Sequence, residues 1–158
     1  MGIFLKDMSL KGKTALITGA TKGLGRGAAE AIAEAGGNII AIGRNQSELN
    51  SLGKKIKKLK VKYTFFNCDV NNYDKIKNFI TNLKKLDILV NNAGTNIPEN
   101  FLNVKKTSLE TLLNVNTKAV FNIAQLCANQ IIKLKRKQGS IINISSIFGL
   151  VAGQKRTV

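Results

Sequence analysis

Short apolar runs alternate along the chain with longer stretches in which apolar residues return every three or four positions. Runs of about five residues rich in Ile, Val and Leu predict buried strands, and the longer period predicts amphipathic helices. Strands are expected over 13–18, 38–42, 61–66, 86–90 and 140–144. Between them lie an Ala-rich helix over 24–35, closed by Gly36-Gly37, and helices over 47–59 and 72–84. The last places Ile76, Phe79, Ile80 and Leu83 on one face. Thr107-Ser-Leu-Glu110 reads as a capping box that opens a long helix to about Lys135. Along it Leu109, Leu112, Leu113, Val120, Ile123, Ala124, Cys127 and Ile131 form one apolar stripe, with Asn116 on the same stripe. This strand–helix alternation predicts an α/β fold, a parallel sheet covered by helices on both faces. Right-handed crossovers make it doubly wound, with an expected strand order 3-2-1-4-5.

The length of 158 residues suits a single domain with a substantial core. No run approaches the roughly 18 apolar residues of a membrane span. The N-terminus lacks an apolar segment of signal length, and Lys6 stands where a myristoylation motif needs Ser or Thr. A cytoplasmic protein without a membrane partner is expected. Cys68 and Cys127 are too far apart in sequence for a metal or redox motif and read as packing residues. The absence of histidine removes Ser-His triads and His-based metal sites.

Charge adds one complication. Lys and Arg number 25 against 9 acidic residues, a formal +16, concentrated in 54–62 and 133–137. One reading is a surface for anionic partners such as nucleic acid. The favoured reading is solvated helix ends, because no aromatics interleave with the lysines for base stacking and positive charge suits helix C-termini. No nucleic-acid partner is therefore expected. A basic chain also suits a phosphate-bearing cofactor.

Candidate chemistry begins at Thr18-Gly-Ala-Thr-Lys-Gly-Leu-Gly25, between the first strand and first helix. Gly19 permits a tight turn, and Gly23 and Gly25 let backbone approach a pyrophosphate at the helix N-terminus. Small residues Gly27 and Ala28 are expected to let the helix lie close to the sheet. A glycine triplet alone is compatible with an ordinary loop. The preceding strand and following helix favour nucleotide binding. The second strand runs into Gly43-Arg44, where a carboxylate would hold a ribose 2′-hydroxyl. Arg44, joined by Lys22, suits a 2′-phosphate instead, so NADP(H) is expected over NAD(H); the alternative is a simple surface arginine.

Five motifs in order now resemble the short-chain dehydrogenase/reductase family. They are the loop from Thr18 to Gly25, Asp69-Val70, Asn91-Asn92-Ala93-Gly94, Val115-Asn116, and Ile141-Ile-Asn-Ile-Ser-Ser146. The stretch 92–104 is also similar to the subgroup that reduces sugar-acid ketones and 3-oxoacyl thioesters. The resemblance implies a Rossmann-like fold and hydride transfer between a nicotinamide and a small-molecule ketone or secondary alcohol. It implies cofactor contacts from Gly19, Thr21, Lys22, Gly23, Leu24, Gly25, Arg44, Asp69, Val70, Asn92, Ala93 and Gly94. It assigns catalytic roles to Asn116, which holds a water in a proton relay, and to Ser146, which hydrogen-bonds the substrate carbonyl. Read from pattern alone, Asn116 equally well fixes backbone groups, and Ser145-Ser146 equally well form a serine-rich turn.

The family's Tyr-x-x-x-Lys motif, its general acid or base with a lysine that lowers the tyrosine pKa, is not found. Tyr63 and Tyr73 are the only tyrosines. Lys77 follows Tyr73 by four, but on an early helix far in sequence from Ser146. The family spacing puts the tyrosine about one residue past Val158, with 151–158 as the approach to it. A C-terminally truncated, inactive fragment is therefore expected. It would lack the helix-bundle interface through which the family forms homo-oligomers, and its fifth strand would be an open apolar edge. A non-catalytic nucleotide-binding module is the competing expectation, and an anion binder the less favoured third.

Overall fold

The structure is a computed structural model that describes residues 8–151. The targeting signals sought at the N-terminus and most of the approach segment, 152–158, lie outside the described residues. Five strands form one sheet: β1 (Thr14–Thr18), β2 (Asn38–Gly43), β3 (Tyr63–Asn67), β4 (Ile88–Asn91) and β5 (Ser140–Asn143). Every pairing is parallel, and the spatial order is β3-β2-β1-β4-β5, as the crossover argument predicts.

Side-chain alternation along the strands divides the core into two layers. Ala15, Ile17, Ile39 and Ala41 face helices α1 (Gly23–Glu34) and α2 (Gln46–Lys57), meeting Ala29, Ala33, Leu49, Leu52 and Ile56. Leu16, Ile40, Ile42 and Leu89 face the other way. There they meet Ile76 and Ile80 of α3 (Tyr73–Thr81) and Ile123, Cys127 and Ile131 of α5 (Ala119–Lys133). Phe79 and Leu83 pack against this second layer, as expected for their helix face.

Gly27 departs from its expected role. It is exposed, and a Cβ there would meet nothing within 4 Å. Ala29 and Ala33 are the small residues of α1 that lie on the sheet side. The third helix is also shorter than expected, because Thr81 Oγ1 and Asn82 Nδ2 turn back onto the carbonyls of Lys77 and Asn78 at 2.8 Å.

The long helix runs without a break from Lys106 to Lys133 but is not α-helical throughout. Helix α4 (Lys106–Leu113) and α5 are joined by a π-helical turn, Asn114–Lys118. The expected capping box does not form. Lys105 is the N-cap, and Glu99 from the preceding loop accepts from Lys105 N at 3.2 Å and Ser108 Oγ at 3.1 Å. A carboxylate at that end complements the helix dipole and holds the first turn through Lys105 N and the Ser108 hydroxyl, in place of a threonine cap. Leu112, Ile123, Cys127 and Ile131 of the stripe are buried, but Leu109 and Leu113 are exposed.

At the N-terminal edge of the sheet, Asp87 is almost fully buried. It accepts from Thr14 N at 2.9 Å and from Arg136 Nε at 2.7 Å. One member of the second basic cluster is thus spent on an internal ion pair. In the first cluster Lys55 reaches Glu30 at 2.7 Å, and Lys54, Lys55 and Lys57 occupy the last turn of α2. β5 is an edge strand of the described sheet, and Ile141 and Ile142, which point to opposite faces, are both exposed. No helix among the described residues is long and apolar enough to cross a membrane.

Candidate functional site

In a doubly wound sheet, ligands bind beyond the C-terminal strand ends where the strand order reverses. Here that point lies between β1 and β4. An open groove of about 1080 Å³ occupies this edge. Gly19, Thr21, Lys22, Gly23, Leu24, Arg44, Asp69, Val70, Asn92, Ala93 and Gly94 all line it. Of the cofactor residues expected from sequence, only Gly25 does not, because it lies beneath the loop.

Gly19 and Gly23 have positive φ, +64° and +56°, a conformation that L side chains adopt only with strain. Gly25 is glycine for a different reason. A Cβ there would collide with the Gly19 carbonyl oxygen and the Asn92 amide. The loop is closed from β4: Asn92 Nδ2 donates to the carbonyls of Thr18 (3.1 Å) and Gly19 (3.2 Å). Thr18 Oγ1 in turn accepts from Asn92 N and Ala93 N, both at 3.0 Å. Asn92 thus clasps the glycine loop as well as bordering the groove. The loop leads directly into the N-terminus of α1, and a helix N-terminus is a place where anions bind.

The far end of the groove is basic and polar. Arg44 is 80% exposed and lies 3.6 Å from Asp69, whose Oδ1 also accepts from Asn71 N. Gly43, which sequence reasoning did not assign to the site, carries Thr21 directly above it; an added Cβ would meet Thr21 Cγ2 at 2.5 Å. Asn45, Gln46 and Ser47 line this end too. They open α2, and Asn45 caps it by accepting from Glu48 N. A capping asparagine just after the strand was the available sequence signal. Cys68 lines the same groove, and burial pushes its thiol up, which suits packing rather than thiolate chemistry.

The two expected catalytic positions sit outside this lining. Asn116 lies in the π-helical turn and is exposed. Its amide makes a reciprocal pair with Thr95, accepting from Thr95 N and donating to Thr95 O, each at 2.9 Å. In this arrangement both ends of its amide are bonded to backbone. Thr95 itself lines the groove, so Asn116 shapes the wall next to Gly94. Ser146 follows β5 and caps a short 3₁₀ turn, Ile147–Gly149, by accepting from Phe148 N at 3.2 Å. The strand end that carries it is tied to β4 through Asn91 Nδ2, which donates to Asn143 Oδ1 at 3.0 Å. Neither tyrosine lines the groove: Tyr63 donates to Leu49 O, and Tyr73 lies beneath Lys77 on α3.

The chain matches the short chain dehydrogenase family over residues 13–158. It is 33% identical to a 3-oxoacyl-[acyl-carrier-protein] reductase of Thermotoga maritima, over 95% of this chain and 62% of that protein. It is 36% identical to 2-dehydro-3-deoxy-D-gluconate 5-dehydrogenase of Bacillus subtilis, over 97% of this chain and 60% of that one. Among solved structures, a 7α-hydroxysteroid dehydrogenase complexed with NADH superposes with a TM-score of 0.89 at 27% identity, over 99% of this chain and 62% of that one. The chain therefore spans less than two thirds of the length of these relatives. With its parallel sheet, its glycine loop and this match along nearly its whole length, the chain belongs to the short-chain dehydrogenase/reductase family of oxidoreductases with a Rossmann-type NAD(P)-binding fold.

Proposed function

We propose that this chain forms the nucleotide-binding part of an oxidoreductase that interconverts a ketone and a secondary alcohol, using NADP(H) in preference to NAD(H). The groove supports this reading most directly, because the glycine loop with Lys22 and the Arg44 that follows β2 both line it. The residues present fit a dinucleotide: Gly25 has no room for a side chain, and Gly19 and Gly23 hold the left-handed backbone conformations of a tight turn at the start of α1. Residues 19–25 would hold the pyrophosphate, Asp69 and Val70 the adenine, and Arg44 and Lys22 a 2′-phosphate. Asn92 to Gly94 would border the path toward the nicotinamide, which supplies or accepts the hydride.

Ser146 would donate a hydrogen bond to the substrate carbonyl, and Asn116 would keep Thr95 and the adjoining wall in place. Neither residue is an acid suited to protonating an alkoxide at neutral pH, and the two tyrosines are engaged elsewhere. The 158 residues by themselves should accordingly bind nucleotide without measurable turnover. Binding is tested by titrating the purified chain with NADPH and NADH. NADPH is expected to bind about tenfold more tightly, a difference of about 1.4 kcal/mol. Equal affinities would remove the NADP preference, and ketone-dependent NADPH oxidation would refute the claim of inactivity.

A further inference from the structure

Arg44 is mostly exposed, yet it is held from two sides by the neighbouring strand and its loop. Asn67, in register with Gly43 on β3, donates Nδ2 to Arg44 O at 3.1 Å. Asp69 Oδ2 lies 3.6 Å from Arg44 Nη1. Asp69 is itself fixed, because its Oδ1 accepts from Asn71 N at 2.9 Å. An exposed ion pair of this kind adds little to stability. Its consequence is for what Arg44 can bind. A phosphate recognised by a guanidinium uses charge and parallel donors, and here a carboxylate already stands against one of them.

We propose that Asp69 is a specificity-determining residue that limits selectivity for a 2′-phosphorylated adenosine ribose by competing for Arg44. The inference rests on the nucleotide-binding reading above. A ribose without phosphate has no need of the guanidinium and leaves the Arg44–Asp69 pair intact. A 2′-phosphate must share Arg44 with Asp69. Asp69 therefore lowers the affinity for the phosphorylated ribose relative to the unphosphorylated one. Asn67 keeps the arginine's backbone in place in both cases.

The test uses the 158-residue chain, at low ionic strength to limit screening, with 5′-AMP and 2′,5′-ADP as probes. Asp69→Asn keeps an acceptor for Asn71 N and removes the charge. It should raise the ratio of 2′,5′-ADP to 5′-AMP affinity about three- to tenfold, the scale of a partly exposed charge interaction, because any change at the adenine is common to both probes. In an Arg44→Ala background the same substitution should change the ratio by less than about twofold, because the competition has been removed. An unchanged ratio in Asp69→Asn overturns the proposal, as does a full gain in the Arg44→Ala background or loss of 5′-AMP binding in Asp69→Asn. If the unmodified chain binds neither probe, the nucleotide reading fails and this inference with it.

Discussion

Gly25 and Gly27 are two residues apart on α1, and their surroundings give opposite requirements. Gly25 is buried against the Gly19 carbonyl and the Asn92 amide, so a methyl group there must displace the clasp that closes the loop. Gly25→Ala should cost about 1–3 kcal/mol of stability through overpacking. It should also weaken NADPH binding at least about tenfold, the equivalent of about 1.4 kcal/mol. Gly27 is exposed with open space around it, so alanine adds helix propensity without a collision. Gly27→Ala should raise stability by about 0.5–1 kcal/mol and leave binding unchanged. Urea denaturation with nucleotide titration checks both, and similar losses from the two substitutions would contradict the packing described. The sequence pattern shows that glycines occupy this turn. Which one answers to φ, which to a neighbour and which to neither depends on Asn92, some 70 residues away, and no local pattern carries that. The same holds for Gly43, whose constraint comes from Thr21 on the glycine loop.

Strands and most helices were legible because each has its own apolar period, and parallel order followed from their alternation. The long helix shows where that reasoning stops. An apolar stripe continues through 109–131 whether or not the backbone inserts a π-helical turn. The turn coincides with the Asn116–Thr95 pair, a contact across 21 positions. The helix start was set by Glu99, outside the segment that a capping pattern inspects. Arg136 belongs to a run that reads as surface charge, yet its partner Asp87 is only 2% exposed and also holds Thr14 N. Removing the guanidinium leaves a buried carboxylate without its counter-charge, so Arg136→Met should cost about 3 kcal/mol. A change in urea midpoint equivalent to less than about 1 kcal/mol would instead place this pair with ordinary surface charges. Between α1 and α2, the Lys55 ammonium and Arg26 guanidinium hold the Glu30 carboxyl below its usual 4.5. A depressed carboxylate contributes stability that is present above its unfolded pKa and lost as pH falls through the folded one. Stability should therefore decline below about pH 4.5, and Glu30→Gln should flatten that decline. An unchanged acid profile in Glu30→Gln would remove this ion pair as its source.

On the scale of the whole molecule, apolar surface is distributed unevenly. β1 and β2 are covered on both faces, whereas β5 exposes Ile141 and Ile142 on opposite faces, with Ile144, Ile147 and Phe148 following. A parallel sheet is normally buried on both sides, so this edge has the composition of an interior strand in the position of a surface one. The opposite edge differs: β3 is preceded by Lys60 and Lys62, the kind of charge that discourages edge pairing. A net charge of +16 opposes association in general. Self-association of the 158-residue chain should therefore proceed through β5 and strengthen with salt, as screening removes the repulsion. Light scattering or sedimentation across a dilution series would detect it. Ile142 lies at the middle of the strand, in register with Val90 and 47% exposed, so a lysine there faces solvent in the monomer and opposes pairing in an assembly. Ile142→Lys should shift the chain toward monomer while retaining nucleotide binding at the distant Arg44 end of the groove. An equal change at β3, Thr64→Lys, should leave association as it was. Monomeric behaviour of the unmodified chain at high salt, or relief by Thr64→Lys instead, would show that β5 is not the surface through which it associates.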